Sequence, residues 1–183
     1  MISVALLALA CLSLLLVAPA ASAQTGSGSS RSIERSVKAA FLYKFLGYTE
    51  FPAAAFEDAA SPVVIGVVDA DEMAAELTRI VAGRTVGTRP IVVRAMKDGE
   101  PATGVHLLFL SSSASARVSR DAQQPLLVVT ESDRGLAQGS VINFRIIDQR
   151  VRFDVSLEAA DKYNVKLSSR LLTVAHQVHK GVN

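Results

Sequence analysis

Arg145 and Arg152 lie on either side of Asp148-Gln149 in a stretch of strict apolar–polar alternation, Val141 to Ile147 followed by Val151 to Val155. A hairpin with a two- or four-residue loop sets Phe144 against Phe153, Ile146 against Val151 and Ile142 against Val155 on one face. The other face then sets Arg145 opposite Arg152 and Asn143 opposite Asp154. Like charges directly opposite cost on the order of 0.2–1 kcal/mol, so this pair is unusual. Two guanidinium groups side by side suit a bidentate anion, an acidic ligand or an acidic partner surface. A plainer reading has the diagonal Asp154 and solvent neutralise them.

Other residues offer weaker chemistry. Asp69 and Asp71 follow the apolar run Val63 to Val68, and an acidic pair at the carboxyl end of a strand can bind Mg²⁺ or accept a phosphoryl group. With Glu72 three residues on, Asp69 also reads as the cap of a helix. His176 and His179 are spaced to share a helical face and so to reach one metal, but only His106 joins them, with no paired carboxylate motif. A solvated helix end explains them equally well. Ser111 to Ser113 read as a helix cap rather than a nucleophile. There is no G-x-S-x-G elbow and no phosphate-binding glycine loop. The expectation is a binding protein with no catalytic residue, metal or cofactor. Its contact residues are sought on the hairpin and on the polar side of the last helix: Arg145, Arg152, Asp154, Arg170 and His176.

The elements that must position them follow from periodicity. Ser32 can cap a helix to about Tyr48, with Ile33, Val37, Phe41, Phe45 and Tyr48 as one apolar stripe, widened by Leu42 and Leu46, and Lys38 and Lys44 off it. Val63 to Val68 is a β-branched run suited to a strand covered on both faces. A helix over Met73 to Val81 follows, then strands at Ile91 to Arg94 and Val105 to Leu110. A short helix from the serines to Arg120, a strand at Leu126 to Val129, the hairpin and a last helix from Ser168 to His179 complete the chain. This pattern predicts an α/β fold: a central, largely parallel sheet with a C-terminal antiparallel hairpin and helices on both faces, a three-layer sandwich.

Composition narrows the setting. Residues 1–23 read as a signal peptide, with an apolar run from Leu6 to Val17 and Ala21-Ser22-Ala23 before the cleavage point. The run stops at Pro19, short of the ~20 apolar residues that span a bilayer. The apolar stretch continues past Cys11, which argues against a lipoprotein. Residues 24–31 read as a flexible Gly/Ser tether and 32–183 as a single domain. Cys11 is the one cysteine, so the exported chain carries no disulfide. A net charge of +2 gives no case for nucleic acid or membrane binding.

Two stretches carry a resemblance: SVKAAFLYKFLGYTEFP (36–52) and GSVINFRIIDQRVRFDVSLEAADKYNVKLSSRLL (139–172). F-L-Y-K-F near the start, I-N-F before the hairpin, V-R-F after it and L-S-S-R-L-L near the end together resemble the YfiR family of periplasmic proteins. The likeness extends over essentially the whole exported chain. It implies an α/β sandwich without a catalytic centre. It also implies a soluble repressor that binds the periplasmic domain of an inner-membrane diguanylate cyclase, holding cyclic di-GMP, and with it biofilm formation, in check. An outer-membrane lipoprotein with an OmpA-like domain would sequester it, and a homodimer is a further option. Where the family often has Trp this chain has Phe51, Ser156 stands for a common Asn, Gly139-Ser140 for a glycine pair, and Asn164 for a Gly. The family's disulfides have no counterpart here. A periplasmic small-molecule or anion sensor, with Arg145 and Arg152 as its first contacts, is the alternative reading.

Overall fold

The computed structural model describes residues 25–112, 114 and 124–181. In chain order they form α1 (Thr25–Gly47), β1 (Thr49–Glu50), a 3-10 turn (Ala53–Ala55), β2 (Val63–Val68), α2 (Asp71–Val81), β3 (Thr85–Val86) and β4 (Arg89–Met96). There follow β5 (Leu107–Leu110), β6 (Leu127–Thr130), β7 (Ile142–Ile147), β8 (Arg150–Ser156), α3 (Leu157–Lys162), β9 (Lys166–Leu167), α4 (Ser169–Val174) and β10 (Gln177–His179).

Eight strands make one sheet in the order β10-β8-β7-β6-β5-β2-β4-β3. Its centre is parallel, and β7–β8 and β3–β4 are antiparallel. The run of β2 is apolar in both directions because it is covered twice. Val63, Ile65 and Val67 face a large core shared with α1 and α2. Val68 faces a second core with Met96, Val105, Leu108, Leu110, Leu126 and Val128. This is the expected mixed α/β architecture, a mostly parallel sheet with apolar packing on both faces, consistent with a three-layer sandwich. The ladder β1–β9, which ties Thr49 to Leu167 and so the end of α1 to the C-terminal region, has no counterpart in the reading of the sequence.

The hairpin register is the one the alternation implies: Phe144 pairs with Phe153, Arg145 with Arg152 and Asn143 with Asp154. Asp148 and Gln149 both take positive φ, 49° and 59°, as a two-residue type I′ connection requires. Asn164 likewise takes φ 51°, a left-handed conformation that asparagine tolerates.

Four expectations are corrected. First, α1 starts at Thr25 and takes in the segment read as a tether; no proline stops it, and each added residue gains a helical hydrogen bond. Second, the expected stripe is buried only in its later half, where Leu42, Phe45 and Leu46 join Ala39 in the core, while Ile33 is 64% exposed and Val37 38%. The inward face changes character along the helix. One step before Leu42 it presents Lys38, then Arg35 and Arg31, so Ile33 and Val37 turn outward. Third, Asp69 is no cap: its N–H donates to the Met96 carbonyl, which holds it at φ 48°, and Ala70 takes the N-cap position without a side-chain bond. Fourth, the last helix ends at Val174. Gln177–His179 instead adds to β8 in parallel, because the open edge of β8 offers backbone partners that a helix end would leave unused. His176 and His179 therefore share no helical face. The expected helix from the serines to Arg120 lies, apart from 111, 112 and 114, outside the described residues.

Candidate functional site

The hairpin places the expected contact residues in two groups. Beyond the sheet's covered part, Arg145 and Arg152 are exposed cross-strand partners, with no ion pair among the described residues. Arg150, which the sequence reading passed over, shares their face two residues from Arg152. Nearer the core, Asp154 is buried and accepts from His176 Nδ1 at 3.0 Å, so it is spent on the histidine rather than on the arginines. The chain thereby locks the start of β10 onto β8, with His176 N–H also donating to the Phe153 carbonyl. Arg170 is exposed on α4 and joins neither group through a hydrogen bond or ion pair of its side chain.

Asn143 and Asp154 belong to a buried polar strip on the face away from α1. The Thr130 hydroxyl donates to Asn143 Oδ1 at 2.7 Å and lies 2.9 Å from the Ser140 hydroxyl. The Gly135 backbone is packed against this pair: a Cβ there would stand 2.8 Å from Asn143 Cγ and nearer still to Thr130 Oγ1. Only the strip's spacing, Thr-x₁₂-Asn, was visible in the sequence, and spacing alone gives no sign that the two meet.

A second region lies where the strand order reverses. The chain leaves β2 for β4 on one side and returns to β5 on the other, which opens a crevice at the carboxyl ends of the strands. This cleft, about 390 Å³, is lined by Lys38, Glu34, Arg35, Glu72, Asp69 and Glu131 among others. Lys38 is buried and donates to Glu131 at 2.7 Å and to Glu34. Burial pulls its ammonium down, but the hydrogen bonds it donates to Glu131 and Glu34 outweigh this and leave it raised. Arg35 pairs with Glu72. The charges thus mostly satisfy one another and clamp α1 to α2 and to the end of β6. Asp69 and Asp71 stand exposed at the rim, and no group of three or more potential metal ligands occurs among the described residues. Lys38 escaped notice because a lysine off an apolar stripe reads as solvated.

His106, the third histidine, is structural in its surroundings. Its Nδ1 accepts from the Val64 N–H at 3.1 Å and its Nε2 meets the Ala55 carbonyl at 3.0 Å, which fixes the neutral tautomer with the proton on Nε2. Phe56 stacks on it at 4.5 Å, and the Arg89 guanidinium covers the far side of that ring at 3.8 Å. Burial first, and then Arg89, holds His106 below the usual imidazole range despite the Ala55 bond. The unfolded chain therefore takes up a proton near pH 6.5 that the folded one refuses. Stability conferred by His106 is present above that pH and is lost as pH falls from about 6.5 toward the depressed folded value. Urea midpoints measured across this window should fall more for the wild type than for His106→Gln; parallel profiles would contradict the assignment.

Residues 35–176 match the family model described as YfiR/HmsC-like. The chain belongs to the YfiR/HmsC-like family. No curated protein matches it at a significant level of similarity. In this YfiR/HmsC-like chain the segments that carried the resemblance meet in space. Phe41 and Phe45 of F-L-Y-K-F pack on Phe144 of I-N-F and Phe153 of V-R-F, with ring centroids 5.0–6.2 Å apart. In this chain those segments thus form the packing of α1 against the hairpin, which supports the arginine-bearing tip. The tip itself lies outside that cluster.

Proposed function

We propose that this protein is a periplasmic regulatory binding protein that represses an inner-membrane diguanylate cyclase by engaging its periplasmic domain, and so lowers cyclic di-GMP output. Membership of the YfiR/HmsC-like family over residues 35–176 is the observation that carries this reading. The export signal read in residues 1–23 supports it, since the partner surface faces the periplasm. No helix among the described residues is long and apolar enough to cross a membrane. Repression would come from tighter binding to an inactive cyclase state, because a ligand shifts an equilibrium only by its difference in affinity for the two states. An OmpA-like outer-membrane lipoprotein would relieve repression by competing for the repressor.

Deleting the gene should raise cyclic di-GMP and biofilm, and supplying the protein in trans should restore both. Unchanged cyclic di-GMP across several growth conditions would refute the reading. The exposed, unpaired Arg145 and Arg152 favour one further reading, an anion-sensing domain serving a different membrane sensor or receptor. Its mark would be thermal stabilisation by a small anionic ligand that disappears when both arginines become glutamine.

A further inference from the structure

We propose that the distal half of β8 is a strand-addition site for an extended partner segment in which acidic and apolar residues alternate. The inference deepens the regulatory reading by specifying the partner segment, and it rests on that reading only for the partner's identity.

Backbone accounting gives the first argument. The two-residue turn makes Ile147 and Arg150 a hydrogen-bonded pair, so Arg150, Arg152 and Asp154 direct their backbone groups at β7. Val151, Phe153 and Val155 direct theirs outward. β10 pairs along Asp154 to Ser156, and His176 N–H takes the Phe153 carbonyl. The N–H and C=O of Val151 and the N–H of Phe153 have no hydrogen-bond partner among the described residues. A short free edge therefore continues beyond the end of β10. Such edges bind extended peptides through the main chain, with side-chain positions setting specificity.

The side chains give the second argument. On one face of the tip stand Arg145, Arg150 and Arg152, all exposed and without ion pairs among the described residues. On the other face Ile146, 51% exposed, stands opposite half-buried Val151. A strand laid along β8 presents alternate residues to these two faces. Carboxylates would meet the arginines as charge-assisted pairs, and apolar residues would cover Ile146 and Val151. A second copy of this chain is a poor occupant: antiparallel pairing of two β8 edges about Val151 brings the arginines of both copies together, which like-charge cross-strand pairing opposes.

The test uses the purified protein and a labelled, end-blocked Glu-Val-Glu-Val-Glu-Val-Glu peptide, read by fluorescence polarisation. The acidic peptide should bind, and its Lys-Val counterpart should not. N-methylation of the peptide on one set of alternate residues should weaken binding about tenfold, the loss of roughly one main-chain hydrogen bond or more. Val151→Pro, whose lost N–H faces outward, should do the same, and Arg145→Glu with Arg152→Glu should invert the preference between the two peptides. Equal binding of both N-methylated forms and the parent, or no binding at about 1 mM peptide, a free energy near −4 kcal/mol, would overturn the proposal. If Val151→Pro fails to fold, the N-methylated peptides decide on the wild type. Failure of every peptide arm while the protein still lowers cyclic di-GMP overturns strand addition alone. Peptide binding without any cyclic di-GMP change on gene deletion overturns the regulatory reading alone.

Discussion

Gly135→Ala should destabilise the protein by about 3 kcal/mol, the upper end of what forced overpacking costs. The position has no positive φ, so the effect is one of space rather than of backbone conformation. A Cβ would run into Thr130 Oγ1 and Asn143 Oδ1, side chains only 4% and 2% exposed. Neither can step aside into solvent, and moving either breaks the hydrogen bond between them and strains the Thr130–Ser140 contact. The pair bridges β6 and β7, so the damage falls where the hairpin joins the parallel sheet. Chemical denaturation should show the loss as a lower midpoint. Gly47→Ala is the control, because nothing lies within 4 Å of its Cβ, and it should be neutral or stabilising by up to about 1 kcal/mol. Thr130→Ala introduced beside Gly135→Ala should recover part of the loss. A Gly135→Ala protein as stable as wild type would mean that the loop over residues 131–140 does not sit on the sheet as described.

Lys38→Met is the second change with a large expected effect, a loss of about 3 kcal/mol, as for removing one partner of a buried ion pair. The ammonium side chain is 9% exposed, and its carboxylates on Glu34 and Glu131 are 36% and 20% exposed. Methionine fills the stem's volume but leaves two carboxylates facing each other beside an apolar group. Because the cost belongs to the unpaired charges, Glu34→Gln and Glu131→Gln added to Lys38→Met should return much of the stability. The amide introduced by Glu131→Gln would still be able to accept from the Ser112 N–H, as the Glu131 carboxylate does at 3.3 Å. Thermal unfolding of the single and triple variants checks this; a triple variant no better than Lys38→Met would show that the lysine contributes through packing instead. A stable Lys38→Met would mean the cleft's charges are solvated, not clamped.

Both predictions concern the frame that holds the arginine-bearing tip rather than the tip itself. α1 is fixed at its charged end by Lys38 and at its apolar end by the phenylalanine cluster against the hairpin. Arg145, Arg150 and Arg152 project from the part of β7–β8 beyond that cluster. Substitutions there should change binding with little change in stability, since exposed positions without partners contribute little to folding.

The hairpin was legible in the sequence down to its register. Its alternation has a period of two, a one-residue slip would turn every apolar side chain to the wrong face, and the Asp-Gln pair allows a two-residue turn. The parallel strands were legible because runs such as Val63 to Val68 have no polar face to expose. The last helix was misread because Ala175 to His179 fits either period over so short a span, and what decides between them is an open strand edge more than twenty residues earlier. Lys38, Ile33 and Val37 were misassigned for a similar reason. A helix's periodicity gives the angle between residues, but the neighbour that lies along each turn gives the inward direction.

What the amino-acid sequence determined alone was therefore local: the long apolar strands and the first two helices, the pairing across one tight turn, the phenylalanines that carry the family resemblance and the juxtaposition of Arg145 with Arg152. What only the tertiary structure decided was which polar groups are consumed. It spends Asp154 on His176, buries Lys38 between two carboxylates, seats Gly135 on Thr130 and Asn143, and leaves Arg145, Arg150, Arg152 and the edge of β8 unspent. Hydrogen bonds and ion pairs between distant segments depend on where the sheet order brings them, and sheet order is a property of the whole chain rather than of any window in it.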